Sequence, residues 1–179
     1  MIKEQLIKDI SFLKVKEKVL IFSALVVLAA YLPTVIHSQP VTGSLVNMSL
    51  ILAVFLLGPL EAVLLALIPS FFALTSGLLP LPLLPMVPFI IIGNMILICV
   101  YHYLGRKNFF LAIAAASFCK FLFIYASLNL FVSFSPGGKQ MVPLASMMSW
   151  TQFLTAVSGG ILAYSVLLFV KKINNHPKR

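Results

Sequence analysis

The chain has 179 residues, of which 61% are hydrophobic and 9% charged, with a formal net charge of +9 and a mean hydropathy of +1.08. Soluble domains carry about 25% charged residues, so this composition excludes an ordinary soluble domain and predicts one integral membrane domain over residues 1–179. The positive charge does not point to nucleic acid. Eleven of the 13 basic residues fall at Lys3–Lys18, Arg106–Lys107 and Lys171–Arg179, segments that an even number of crossings returns to one membrane face, as the positive-inside rule expects.

In chain order, Ile2, Leu6, Ile10 and Leu13 recur at helical spacing among lysines and acids. Residues 1–18 therefore predict a short amphipathic helix on the cytoplasmic membrane surface rather than a cleaved signal. A first span is expected at about 19–36, closing at Pro33 and the polar run His37–Pro40, and a second at about 44–57, ended by Gly58–Pro59. The third, at about 60–75, carries Pro69 inside and predicts a kink there. Residues 77–89, GLLPLPLLPMVPF, combine apolar side chains with four prolines, which disfavours a regular helix through most of the stretch. Non-helical backbone at membrane depth persists only where protein buries it or a water-filled cavity borders it. Leu79, Pro80, Leu81 and Pro82 are therefore expected to form a lid over a cavity facing outward, with an apolar loop resting at the lipid interface as the alternative. Further spans are expected at about 85–104, 109–131 and 143–170, with turns at Gly105–Asn108 and Ser135–Lys139. The fold class is thus an all-α bundle of six transmembrane helices, multi-pass in the plasma membrane, with both termini cytoplasmic.

Enzymatic chemistry finds no support. The acids are Glu4, Asp9, Glu17 and Glu61, with no paired carboxylates, no HExxH and no GxSxG. No catalytic residue, cofactor or metal site is expected: His37, His102 and His176 are far apart, and Cys99 and Cys119 read as buried, inert thiols. The Gly137–Gln140 fragment of a phosphate loop lacks the upstream glycine and the Ser/Thr after lysine, and reads as a turn.

Lys120 is the most informative residue. It falls near the middle of the fifth span, where a cation costs about 2.5–3.5 kcal/mol even on lenient scales. It shares a helix face with Ala112, Ala116 and Ser127, small residues that permit close helix approach, so it is expected to point into the bundle. With no acid at its depth, it requires either an anionic ligand or a cap of asparagine side chains and helix-end carbonyls. Asn47, Asn94, Asn129, Trp150 and Gln152 fall in the outer half of the predicted bundle, together with Ser149 and Thr155. They are the candidate substrate-binding residues beside Lys120, although each alone also serves as polar glue between helices. Trp150 reads either as a stacking surface for a flat ring or as an interfacial anchor. Glu61 reads as a first-turn acid favoured by the helix dipole. Ala156, Gly159, Gly160 and Ala163 form a face suited to close packing, within the bundle or against another subunit.

The stretches QPVTGSLVNMSLILAVFLLGPLEA (39–62) and LLPMVPFIIIGNMILI (83–98), with six spans and basic cytoplasmic ends, resemble the substrate-capture (S) components of energy-coupling factor transporters. The resemblance covers nearly the whole chain. It implies a nutrient such as a vitamin bound in the outer half, under the loops between spans one and two and between spans three and four. It also implies a transmembrane coupling protein with two ATPase subunits as partners, and toppling of the capture subunit in the bilayer. Ala24, Ala29 and Ala30 do not reproduce the Ala-x-x-x-Ala docking pattern common in that family's first helix, which leaves the docking surface open. The alternative from another class is a non-transport membrane scaffold of the rod-shape-determining type. A stand-alone channel or carrier is disfavoured, because no second ionisable group continues a path.

Overall fold

Backbone polar groups in lipid must bond within their own segment or close a barrel, and a chain this apolar meets that demand by coiling. The computed structural model describes residues 14–36, 38–75, 81–134 and 149–174, and among them no residue is in a strand. Six helices follow: α1 (Val15–Ile36), α2 (Gln39–Leu56), α3 (Pro59–Thr75), α4 (Val87–Leu104), α5 (Phe109–Phe134) and α6 (Trp150–Asn174). Five are long and apolar enough to cross a membrane, and α3 is a shorter apolar helix. The protein is an all-α, multi-pass membrane bundle. At 17 residues, α3 rises about 25 Å against a hydrocarbon core of about 30 Å.

Several boundaries differ from expectation, each for a local reason. Helix α1 starts at Val15, where the Glu17 carboxylate accepts the Lys14 backbone N–H at 2.8 Å, so residues 15–18 belong to the first span; the rest of the expected amphipathic segment lies outside the described residues. Nor does α1 close at Pro33. Proline has no N–H and its ring crowds the carbonyl four residues back, here that of Ala29. The helix meets this with a π turn at Val27–Tyr31, in which the Leu32 N–H donates to the Val27 carbonyl, and continues to Ile36. Helix α2 begins five residues early, at Gln39, because Pro40 sits in its first turn, where no backbone donor is needed. The α2–α3 turn uses Gly58 at φ 128, a conformation that L side chains rarely adopt.

The proline stretch is a further correction. Leu81–Met86 forms a 3-10 helix despite Pro82 and Pro85, since proline's fixed φ lies within the 3-10 range. Helix α5 runs three residues beyond expectation and α6 ends at Asn174, while the expected start of the sixth span at 143–148 lies outside the described residues.

Helix α2 is the axis of the bundle. Asn47 through Val54 are buried consecutively, because α1, α3, α4 and α6 all pack on it. Leu50, Ile51, Leu65, Leu97, Ile98 and Ile113 form the main core around it, and Met86, Ile124 and Leu128 a second cluster between α4 and α5. Ala156, Gly159, Gly160 and Ala163 are all buried, so this small-residue face packs within the chain. The expectation of two buried thiols is corrected: Cys119 is half-buried but Cys99 is exposed on the outside of α4, and both are free. Lys14, Lys16, Lys18, Arg106, Lys107 and Lys172 are exposed, at helix ends that alternating antiparallel crossings bring to one end of the bundle.

Candidate functional site

The site begins with Lys120. Ala112, Ala116, Lys120 and Ser127 of α5 are all buried, and Lys120 itself is 2% exposed. Its Nζ donates to Asn47 Oδ1 of α2 at 2.6 Å and to Asn94 Oδ1 of α4 at 2.7 Å. One cation thereby ties three helices together. An ammonium can only donate, so both amides must turn their oxygens toward it and their nitrogens away. Asn47 Nδ2 then donates to the Gly43 carbonyl at 2.8 Å and to Thr155 Oγ1 of α6 at 3.4 Å. Asn94 Nδ2 has no partner among the described residues.

Two glycines bring these side chains within reach. A Cβ on Gly159 of α6 would lie 2.7 Å from both Asn47 Cβ and the Ser44 carbonyl oxygen. The closeness of α6 to α2 at Asn47 thus depends on the missing side chain. On α4, a Cβ at Gly93 would lie 2.9 Å from Ile124 Cδ1 and 3.6 Å from Lys120 Cγ, which sets the approach of α4 to α5 beside Asn94.

Above this knot lies a cavity with about 160 Å³ of room for the centres of water-sized molecules. A single water needs about 10–15 Å³ by that measure, so the space suits a solute. Lys120, Asn47 and Asn94 line it, with Gln39, Thr42 and Gly43 from the start of α2 and Thr151, Gln152 and Thr155 from the start of α6. Pro33 of α1, Pro69 and Ser70 of α3, and Val87 and Ile90 of α4 complete much of the wall. The cavity thus lies toward the bundle end opposite the exposed basic residues. Among the described residues its lining contains one cation, no acid and no aromatic ring.

Of the sequence-based candidates, Lys120, Asn47, Asn94 and Gln152 come together here; two do not. Asn129 is exposed on α5, where its Nδ2 donates to the Tyr125 carbonyl at 2.8 Å. Trp150 is 65% exposed and stacks on Phe121 at 5.1 Å between centroids, so it meets no ring in the cavity. Both stand on the outer surface because their helix faces point away from α2. Of the lid residues, Leu79 and Pro80 lie outside the described residues, Leu81 is 79% exposed, and the Pro82 backbone belongs to the 3-10 turn. The lining from that region comes instead from Val87 and Ile90 just beyond it.

Sequence reasoning missed Gln39, Thr42 and Ser70 and the wall made by Pro33 and Pro69. A signal for the prolines was present. Each removes a backbone donor within an apolar span, and freed backbone groups inside a membrane protein require a cavity or a neighbouring chain segment. Among the described residues, the buried hydroxyls of Ser49, Ser117 and Tyr101 have no partner. All three lie on the side of Lys120 toward the basic end. Among the described residues, no group of three or more His, Cys, Asp or Glu is placed to hold a metal ion. Comparison of the chain with known protein families, with curated proteins and with solved structures finds no match.

Proposed function

We propose that the protein is the substrate-binding membrane subunit of an energy-coupling factor importer, capturing a small anionic or carbonyl-bearing nutrient from outside and releasing it inward. The observation that carries this reading is Lys120, buried at the floor of a solute-sized cavity, where among the described residues two of its three ammonium protons are committed to asparagine oxygens. The location of that cavity supports the direction. It lies away from the basic helix ends, which the positive-inside rule puts in the cytoplasm with both termini. The chain has no phosphate-binding loop of its own, so energy would come from a transmembrane coupling protein and two ATPase subunits.

The Asn47–Lys120–Asn94 knot also suits the scaffold reading, since three helices tied by one cation make a rigid post. The two readings separate on ligand dependence. Native mass spectrometry of the full-length protein released from nanodiscs should detect a bound small molecule and co-purifying ATPases. Lys120→Met should fold and insert normally but lose that molecule. Retention of the molecule at unchanged occupancy by Lys120→Met would remove the lysine from the site. The absence of any small molecule and any ATPase from the native protein would favour the scaffold.

A further inference from the structure

The hydrogen-bonding groups of the cavity are unevenly spread. At the floor, two donors have no partner among the described residues: the third proton of Lys120 Nζ and the Nδ2 group of Asn94, which the ammonium obliges to point away from itself. Three hydroxyl oxygens on the walls can only accept, beside the Gln39 and Gln152 amides, which can donate or accept. Thr42 Oγ1 donates to the Gln39 carbonyl at 3.2 Å, Ser70 Oγ to the Ala66 carbonyl at 3.3 Å and Thr155 Oγ1 to the Gln152 carbonyl at 3.2 Å. A hydroxyl has one proton and two lone pairs. With its proton committed to its own helix, each of these three oxygens can only accept from a solute. Thr42 precedes Asn47 by five residues, about 7.5 Å of helix rise, so the acceptor zone extends from the floor toward the mouth.

The charge and shape of the lining narrow the solute further. Among the described residues the lining holds a single buried cation, which balances one negative charge; each further charge brought to that depth would be unpaired. The rest of the wall is aliphatic, from Ala29, Ala30, Val46, Val87 and Ile90. The described lining offers no ring on which a flat solute would stack.

We infer that the cavity takes a compact aliphatic monocarboxylate carrying hydroxyl or amide N–H groups, with its carboxylate against Lys120 and Asn94 and its donors against the Thr42, Ser70 and Thr155 oxygens. This rests on the capture reading above and goes beyond it by naming the ligand chemistry.

The test uses the full-length protein in nanodiscs, with isothermal titration of defined probes. Pantoate and mevalonate are dihydroxy monocarboxylates, and their neutral lactones lack the charge. 3-Methylpentanoate lacks the hydroxyls, benzoate is an aromatic monoanion and citrate a polyanion. Pantoate or mevalonate should bind saturably, with its lactone at least tenfold weaker. Asn94→Leu should weaken the acid about tenfold. Thr42→Val, at a half-buried position, should weaken the hydroxylated acid about fivefold while leaving 3-methylpentanoate unchanged; a hydrogen bond of about 1 kcal/mol corresponds to that factor. Failure of both hydroxy acids to bind, tighter binding of benzoate, citrate or a lactone, or a Thr42→Val effect equal for both kinds of acid would overturn the ligand class. The capture reading is judged separately by native mass spectrometry. A bound molecule of other chemistry that Lys120→Met loses sinks this inference and leaves capture standing, whereas no bound molecule and no probe binding sinks both.

Discussion

The Lys120–Asn94 hydrogen bond can be measured by a double-mutant cycle built from Asn94→Leu, Lys120→Met and the pair. Asn94→Leu removes one of the two acceptors of a fully buried ammonium at 2.7 Å. Hydrogen bonds to charged groups contribute about 1.5–3 kcal/mol, and the single variant should lose about that much stability. Lys120→Met has opposing effects. It relieves the roughly 2.5–3.5 kcal/mol cost of a cation at membrane depth, but leaves two Oδ1 atoms facing an apolar side chain at about 1–3 kcal/mol each. Its net effect therefore lies between slight stabilisation and a loss of about 3 kcal/mol. In the double variant the Asn94 defect vanishes, because there is no ammonium left to satisfy. Because the double variant also lacks the Asn94 oxygen that Lys120→Met leaves unpaired, the coupling should be about 2.5–6 kcal/mol, above the roughly 0.6 kcal/mol average for polar pairs between membrane helices. Unfolding by denaturant in mixed micelles provides the assay. Trp150, the single tryptophan, stacks on Phe121 and so reports the α5–α6 contact by fluorescence. Additivity within about 0.5 kcal/mol would refute the charge-assisted bond and with it the claim that the ammonium organises the site.

Other expectations concern the surroundings of that bond. Gly159→Ala should cost about 1–3 kcal/mol and weaken ligand binding, because its methyl would meet the α2 backbone and Asn47 at 2.7 Å; Gly93→Ala should cost less, since Ile124 Cδ1 is the movable end of a side chain. Reversal of that order in micelle unfolding would contradict the packing argument. Ser49→Ala and Ser117→Ala should each stabilise the protein by about 1 kcal/mol, because each removes a buried hydroxyl without a partner; a loss of similar size in the same assay would show that the hydroxyl is engaged. Asn129→Ala and Trp150→Ala should leave ligand affinity within twofold of wild type by titration, since neither side chain lines the cavity. The Trp150 change should still cost about 0.5–1.5 kcal/mol of stability through its stacking on Phe121, read by circular dichroism because that variant has no tryptophan.

Much of the architecture was legible before any coordinates. Long apolar runs with basic punctuation mean membrane helices, because lipid leaves the backbone no other solution, and Lys120 announced an inward face because hydrocarbon does not solvate an ammonium. Asn47 and Asn94 were legible as its companions for the same reason: amides in an apolar span must find partners. What remained hidden was rotation. In water, apolar periodicity distinguishes core from surface; in lipid, Leu122 and Ile124 are equally at home though one is exposed and the other buried. No pattern along α2 marked it as the central helix, whereas on α5 the nine-residue spacing, two and a half turns, does put Asn129 opposite Lys120.

Composition and the position of each charge were therefore enough to determine that this chain spans a membrane as an all-α bundle and that one cation lies inside it. Only the tertiary structure decided which helix faces meet: that Gly159 brings Thr155 to Asn47, that a π turn ahead of Pro33 places Ala29 and Ala30 on the cavity wall, and that Trp150 faces outward. The physical reason is that helix insertion depends on the summed transfer energy of each segment, a local property. The rotation and approach of helices depend on steric fit and on a few polar contacts between residues far apart in the chain.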